Sequence, residues 1–273
     1  MSAPPYVLAP LRKHLTSLGT VCTVLCSLLF LLPTALVQAQ VNTEVMRVGK
    51  PEPGFSGLVG ANFNVQDGTV DFLEVSGNGQ LNYNQGLHSL LLSSTAGYGK
   101  TEGDAFARKA FGHMRWTAMW LPRLGSEVFT QVEYDRFLRQ RLRWLVGAGP
   151  RVQVIRDETF EAFWGIAYMI EREVLNIPAS DPHPEHGTYH RATTYVSLKW
   201  VPTKAMSLVQ TIYVQPRIDR FSDVRMLEQA DLRVAVWSLL SLKTSITVRY
   251  DGRPPRGVDK TNLSLTQGFD LTF

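Results

Sequence analysis

The chain has 273 residues, with 28 lysines and arginines against 24 carboxylates, a net charge of +4 and 44% hydrophobic residues. That length makes one domain, or two at most. The small charge excess is no footprint for nucleic acid, and two cysteines exclude a scaffold built on disulfides.

The N-terminus reads as a leader rather than as part of the fold. Arg12, Lys13 and His14 form a basic segment, residues 15–37 form an apolar run through Leu25, Leu28, Leu29, Phe30, Leu31 and Leu32, and Val37-Gln38-Ala39 places small residues where a signal peptidase cuts. This predicts a cleaved signal peptide over 1–39 and a short periplasmic segment over 40–53. The run is also long enough for a single membrane anchor, but Pro33 and the small residues at its end favour cleavage. Cys22 and Cys26 both fall inside the leader, so the exported chain carries no thiol. Loss of Arg12 and Lys13 lowers the basic count from 28 to 26 against 24 acids, and the net charge from +4 to +2.

After the leader no apolar run approaches the roughly 20 residues of a membrane helix. Instead there is a succession of segments of roughly 10 residues with period-two alternation. Phe55, Gly57, Val59, Ala61 and Phe63 alternate with Ser56, Gly60, Asn62 and Asn64. Leu73, Val75, Leu81 and Tyr83 alternate with Glu74, Ser76, Asn78 and Gln80. Segments over 87–99, 108–120 and 127–135 follow. The sixth sets Leu142, Trp144, Val146 and Ala148 against Arg141, Arg143 and Arg151. The seventh sets Trp164, Ile166, Tyr168 and Ile170 against Glu161, Glu171 and Glu173. The eighth sets Val196, Leu198 and Trp200 against Arg191, Thr193, Ser197 and Lys199. Segments over 206–215 and 224–236 come next, then Leu242, Ile246, Val248 and Tyr250 alternate with Ser241, Lys243, Thr247 and Arg249. The last segment runs to Phe273.

This pattern predicts an all-β fold over 54–273, a transmembrane antiparallel up-and-down β-barrel of about twelve strands. The apolar series faces lipid and the polar series the lumen. Gln210 and Glu228 fall in the apolar series, which predicts a bulge or a slipped register there. Connections alternate in length: 85–86, 121–125, 156–159, 202–205 and 237–239 are short, whereas 100–105, 136–140, 175–190, 218–222 and 252–258 include long ones. Short turns inside and longer loops outside are the arrangement of outer-membrane barrels. Trp120, Trp200 and Trp237 lie beside the short turns and read as an interfacial girdle.

Phe269, Leu271 and Phe273 share one face of the last segment with Leu263 and Leu265. A terminal aromatic on an amphipathic strand resembles the signal read by the bacterial barrel-assembly machinery. The partners expected are therefore that machinery and the lipid and lipopolysaccharide of a Gram-negative outer membrane, with no nucleic acid and an oligomeric state left open.

The mature chain resembles the family of salt-induced outer-membrane proteins. The matching residues are Asn42-Thr43-Glu44 with Arg47, Gly54-Phe55-Ser56-Gly57, Glu133-Tyr134-Asp135 with Phe137, Gly147-Ala148-Gly149, Gln215-Pro216, Tyr250-Asp251, Pro254-Pro255, Gly257-Val258 and Lys260-Thr261. Two departures are Gln66-Asp67-Gly68, where a Gly-Asn pair is expected, and Pro150 after the glycine motif. The resemblance implies a barrel, an outer-membrane address and an envelope-stress setting, and no reaction.

Residues for chemistry are few. A serine and a histidine on one face of a strand need the spacing His-x-Ser, and none of the six histidines has it. No enzyme activity and no cofactor are expected, a lipid-modifying enzyme being the weakest reading. His183, His186 and His190 crowd one expected outer loop with Asp181 and Glu185, a candidate metal cluster; the alternative is a hydrated polar loop. The lumen series sets Arg115, Arg141, Arg143, Arg151, Arg191, Lys199, Lys243 and Arg249 against Glu74, Glu127, Glu133, Asp135, Glu161, Glu171, Glu173 and Asp231. These charges either pair and fill the barrel or line a path for ions and solutes. The expected function is a structural barrel of the envelope-stress response, to salt or osmolarity, with a narrow channel for small solutes or ions as the alternative.

Overall fold

The computed structural model describes residues 53–66, 72–101 and 104–273. The leader expected over 1–39, the segment after it up to 52, and the departure at Asp67-Gly68 lie outside the described residues.

Period-two alternation forces extended backbone, and twelve strands result: β1 Gly54–Gln66, β2 Phe72–Gln85, β3 His88–Thr101, β4 Asp104–Ala118, β5 Leu124–Asp135, β6 Gln140–Arg156, β7 Phe160–Leu175, β8 His186–Thr203, β9 Met206–Pro216, β10 Val224–Ala235, β11 Leu240–Asp251 and β12 Thr261–Thr272. Each pairs antiparallel with its sequence neighbours, and β1 pairs with β12, so the sheet closes and leaves no edge. The closure ends on the last residue: the Gly57 amide donates to the Phe273 carbonyl at 2.8 Å, and the Phe273 amide donates back to the Gly57 carbonyl at 3.0 Å.

One end of the barrel carries short connections, two of them of only two residues, Gly86 and Leu87 between β2 and β3 and Lys204 and Ala205 between β8 and β9. Gly86 has φ of 57°, which glycine adopts at little cost. The other end carries the longer loops 176–185, 217–223 and 252–260. β6, β7 and β8 have 17, 16 and 18 residues, longer than their neighbours; β6 runs past β5 at the short-turn end and β8 past β9 at the long-loop end.

The two faces follow the alternation. Val128, Val132, Trp164, Ile166, Val196, Ile246, Leu265 and Phe269 point outward and are exposed, forming an apolar belt. Trp120 and Trp237 are exposed at the short-turn end. Gln210 and Glu228 also face outward. The β9–β10 register runs unbroken past them, so the bulge expected there does not occur. Their polar atoms meet each other instead, with Gln210 Nε2 donating to Glu228 Oε1 at 2.7 Å.

Two expectations are corrected. β8 begins at His186, so the outer loop is 176–185 and not 175–190, and His186 and His190 lie on a strand. Arg141 does not point into the lumen. The β6–β7 register shifts between Gln140 and Leu142, and this bulge leaves Arg141 exposed.

Candidate functional site in the barrel lumen

The lumen is filled on one side. Near the long-loop end three arginines and five carboxylates form one buried network. Arg143 on β6 donates to Glu171 on β7 from Nε at 3.0 Å and from Nη2 at 2.6 Å, and to Glu133 on β5 at 3.3 Å. Arg225 on β10 donates to Glu171 at 2.5 Å, to Glu173 at 2.9 Å and to Asp251 on β11 at 3.0 Å. Arg191 on β8 lies 3.5 Å from Glu171 and donates to Asp223 at 2.9 Å. Arg143 and Glu171 are 0% exposed. Such charges are tolerated out of water only when each is paired and hydrogen-bonded. Arg225 reaches β7 from β10, so this layer crosses the lumen.

Toward the short-turn end a second layer combines arginines with aromatic rings. Arg151 on β6 donates to the Tyr195 hydroxyl on β8 at 2.7 Å, and that hydroxyl donates to Glu127 on β5 at 2.8 Å. The Arg151 guanidinium lies 4.2 Å from the Phe163 ring centre, a cation–π contact in dry surroundings. Arg115 on β4 sits 3.5 Å from Glu127 and donates to the Tyr213 hydroxyl on β9 at 3.4 Å, a second contact across the lumen. Phe129, Leu145, Ala167 and Met169 add a buried apolar cluster on the same side, contrary to a wholly polar lumen. Gly165 is glycine for lack of space: a Cβ there would meet the Tyr195 ring at 2.3 Å.

The opposite side is open. A cavity of about 150 Å³ runs along β1–β5 and β10–β12, bordered by short polar side chains that include Asn62, Ser76, Thr95, Ser245, Thr247 and Thr266. It has room for several waters. Lys243 and Arg249 face it from one wall, Glu133 and Asp135 from another. Arg233 and Asp270, 2.9 Å apart and buried, close a third group of ionic contacts on this side.

The remaining residues singled out in the sequence are placed as follows. Arg115, Arg143, Arg151, Glu171 and Glu173 are all buried in the filled half. Glu161 faces the lumen near the short-turn end, half-buried and 3.6 Å from Lys199. Phe269, Leu271 and Phe273 face outward and are exposed. The three histidines go separate ways: His183 Nε2 meets the Arg253 carbonyl at 2.7 Å, His186 lies 3.7 Å from Glu185, and His190 bonds the Tyr168 hydroxyl. No group of three or more potential metal ligands is assembled among the described residues. In the outer loops, the Arg217 side chain holds the Asp219 carboxyl down to about 2, and the His183 amide lowers that of Asp181. Arg225, Tyr195 and Tyr213 were not singled out, and Asp251 only as part of a short motif, although alternation along β8 to β11 puts all four in the inward series.

A profile of proteins of unknown function, DUF481, matches residues 59–273. The chain belongs to the DUF481 family. No curated protein sequence matches it. Similar solved structures include the NanC porin, with 4% identity and a TM-score of 0.48 over 79% of this chain and 98% of that one. The β domain of the Bordetella autotransporter BrkA has 9% identity and a TM-score of 0.42 over 80% and 98%. The KdgM porin has 7% identity and a TM-score of 0.42 over 80% and 99%. In this DUF481 barrel several of the short motifs noted in the sequence send residues into the lumen, whereas Pro254-Pro255 and Gly257-Val258 lie in the 252–260 loop and residues 42–47 lie outside the described residues. Glu133 and Asp251 bind the arginines of the first layer, Asp135 accepts the amides of Phe137 and Leu138 at 3.0 and 3.3 Å, and Gln215 donates to Thr193 at 3.1 Å. Gly149 admits close approach of β7, since a Cβ would meet the Ile166 carbonyl oxygen at 2.0 Å. Pro150 follows it where the β6–β7 pairing skips from Ala148 to Arg151, a place that asks no amide of proline.

Proposed function

We propose that the protein is an outer-membrane barrel that passes small polar solutes and ions along the open half of its lumen. The single observation that carries this reading is the uneven filling. Arg115–Tyr213 and Arg225–Glu171 wall off one half, while the other keeps a cavity with room for water among short polar side chains. Short side chains leave room for water, and a barrel of this size lies between filled eight-stranded and open sixteen-stranded cases. The acids and bases facing the cavity nearly balance, which supports weak rather than strong ion selectivity. The apolar outer belt and the short-turn tryptophans support the membrane address.

A structural role in the envelope response to salt or osmolarity is the second reading. The buried arginine–carboxylate layers favour it, because they stiffen the wall whether or not anything passes. No catalytic role is proposed. Planar-bilayer recording on the refolded full chain separates the two. Stable small conductance steps support the channel, and a silent, correctly folded barrel refutes it in favour of the structural role.

A further inference from the structure

Two sets of arginines stand out at the long-loop end. Those of the buried network are paired: Arg143, Arg191 and Arg225 each meet at least two carboxylates. A second set lies on the outer wall at the long-loop end of β6 and β7. Arg172 shares the outward series with Ile166, Tyr168 and Ile170, between inward Glu171 and Glu173. It is exposed, with Trp144 of β6 and Thr188 of β8 as register partners. Arg141 stands exposed at the β6 bulge on the same rim, and Arg136 is exposed in the adjoining turn. None of the three has an ion-pair partner among the described residues. Of the two acids on the neighbouring loop, Glu185 sits beside His186 at 3.7 Å and Asp181 accepts the amides of His183 and Arg256.

Beside and below this basic rim, Trp144, Tyr168 and Tyr134 are exposed outward at 43%, 48% and 36%, Trp144 being level with Arg172. Tyr168 is anchored by His190. Aromatic side chains of this kind sit at the boundary between hydrocarbon and headgroups. Uncompensated guanidinium groups directly above that boundary meet headgroup phosphates, which they bind in a bidentate, charge-assisted way. The bulge matters because it turns Arg141 out of the lumen, where its neighbour Arg143 is fully paired.

We infer that the outer rim of β6–β8 is a binding site for the phosphate groups of the outer-leaflet glycolipid, held by Arg172 and Arg141 beside Trp144 and above Tyr168. This rests on the membrane address and on the outward placement of the long loops, but not on conduction. It seats one wall of the barrel against a fixed lipid.

The test uses the full chain in detergent, titrated with diphosphorylated lipid A, with the same glycolipid stripped of phosphate, and with inorganic phosphate. The combined substitution R141Q and R172Q lies outside the lumen. It is expected to weaken lipid A binding roughly thirty-fold, from the attraction of each arginine to an anionic surface. The charge-retaining pair R141K and R172K keeps most of the binding, and the phosphate-free glycolipid binds the wild-type protein as weakly as lipid A binds the glutamine variant. Equal affinity of wild type and glutamine variant for lipid A overturns the inference, as does equal binding of the phosphate-free lipid. Competition by inorganic phosphate at millimolar concentration would replace the lipid site with a site for free anions. Unchanged heat-shifted gel mobility certifies that both variants are folded. Lipid binding in a barrel that is silent in bilayers leaves this inference standing and removes only the channel.

Discussion

The network at the long-loop end makes a quantitative claim about Arg143. It is 0% exposed and gives two hydrogen bonds to Glu171 and one to Glu133. Arg143→Ala removes all three and leaves two buried carboxylates short of a cation. Breaking a buried pair by removing one partner costs about 3–5 kcal/mol. The low end applies here, about 3 kcal/mol, because Glu171 keeps Arg225 at 2.5 Å and Arg191 at 3.5 Å. Glu171→Ala leaves Arg143 with Glu133 alone and takes one carboxylate from each of Arg225 and Arg191, so its cost is similar or slightly higher. The double variant strands fewer charges than the two single losses combined, since Arg225 still has Glu173 and Asp251. Its cost is therefore about 4 kcal/mol rather than about 6, a coupling of about 2 kcal/mol. Urea unfolding of the four proteins in lipid vesicles, followed by tryptophan fluorescence and gel mobility, measures this cycle. A coupling under about 0.5 kcal/mol is what a solvated pair shows. That result would refute the dry, filled half of the lumen.

Other outcomes follow from the same geometry. Arg115→Ala or Tyr213→Ala removes the contact crossing the lumen from β4 to β9 and raises single-channel conductance; unchanged conductance places the conducting path elsewhere. Trp164→Arg on the lipid face costs about 2–4 kcal/mol near the midplane, and unchanged stability in vesicles would show that the face is misassigned. Gly165→Ala, one residue on and facing inward, costs about 1–3 kcal/mol by displacing the Tyr195 ring, and an unperturbed near-ultraviolet tyrosine signal would count against that packing. Deleting Phe273 removes the backbone pair with Gly57 and the exposed aromatic end of β12, and lowers the yield of heat-modifiable assembled protein in outer-membrane fractions.

Sequence alone determined the architecture of this chain because the signals involved are local. Period-two alternation sets the side of each residue within its own strand, so Trp164 and Ile166 read as outward, and Arg143 and Glu171 as inward, without knowledge of any neighbour. Alternating loop lengths and the run of Phe269, Leu271 and Phe273 belong to single segments as well. The contacts inside the barrel are not local. Residues 115 and 213, or 171 and 225, meet only because the closed sheet brings strands from opposite walls within side-chain reach. No spacing along the chain encodes that distance. Ladder irregularity is equally silent: the bulge that turns Arg141 outward arises from how β6 meets β7, and the early start of β8 at His186 from its pairing with Val174. Polar Gln210 and Glu228 show the converse. Their outward placement was legible and read as an error, yet the unbroken register keeps both on the lipid side, because each satisfies the other. Which half of the lumen fills and which stays open is thus a property of closure, set by where long arginine and tyrosine side chains face one another across the barrel.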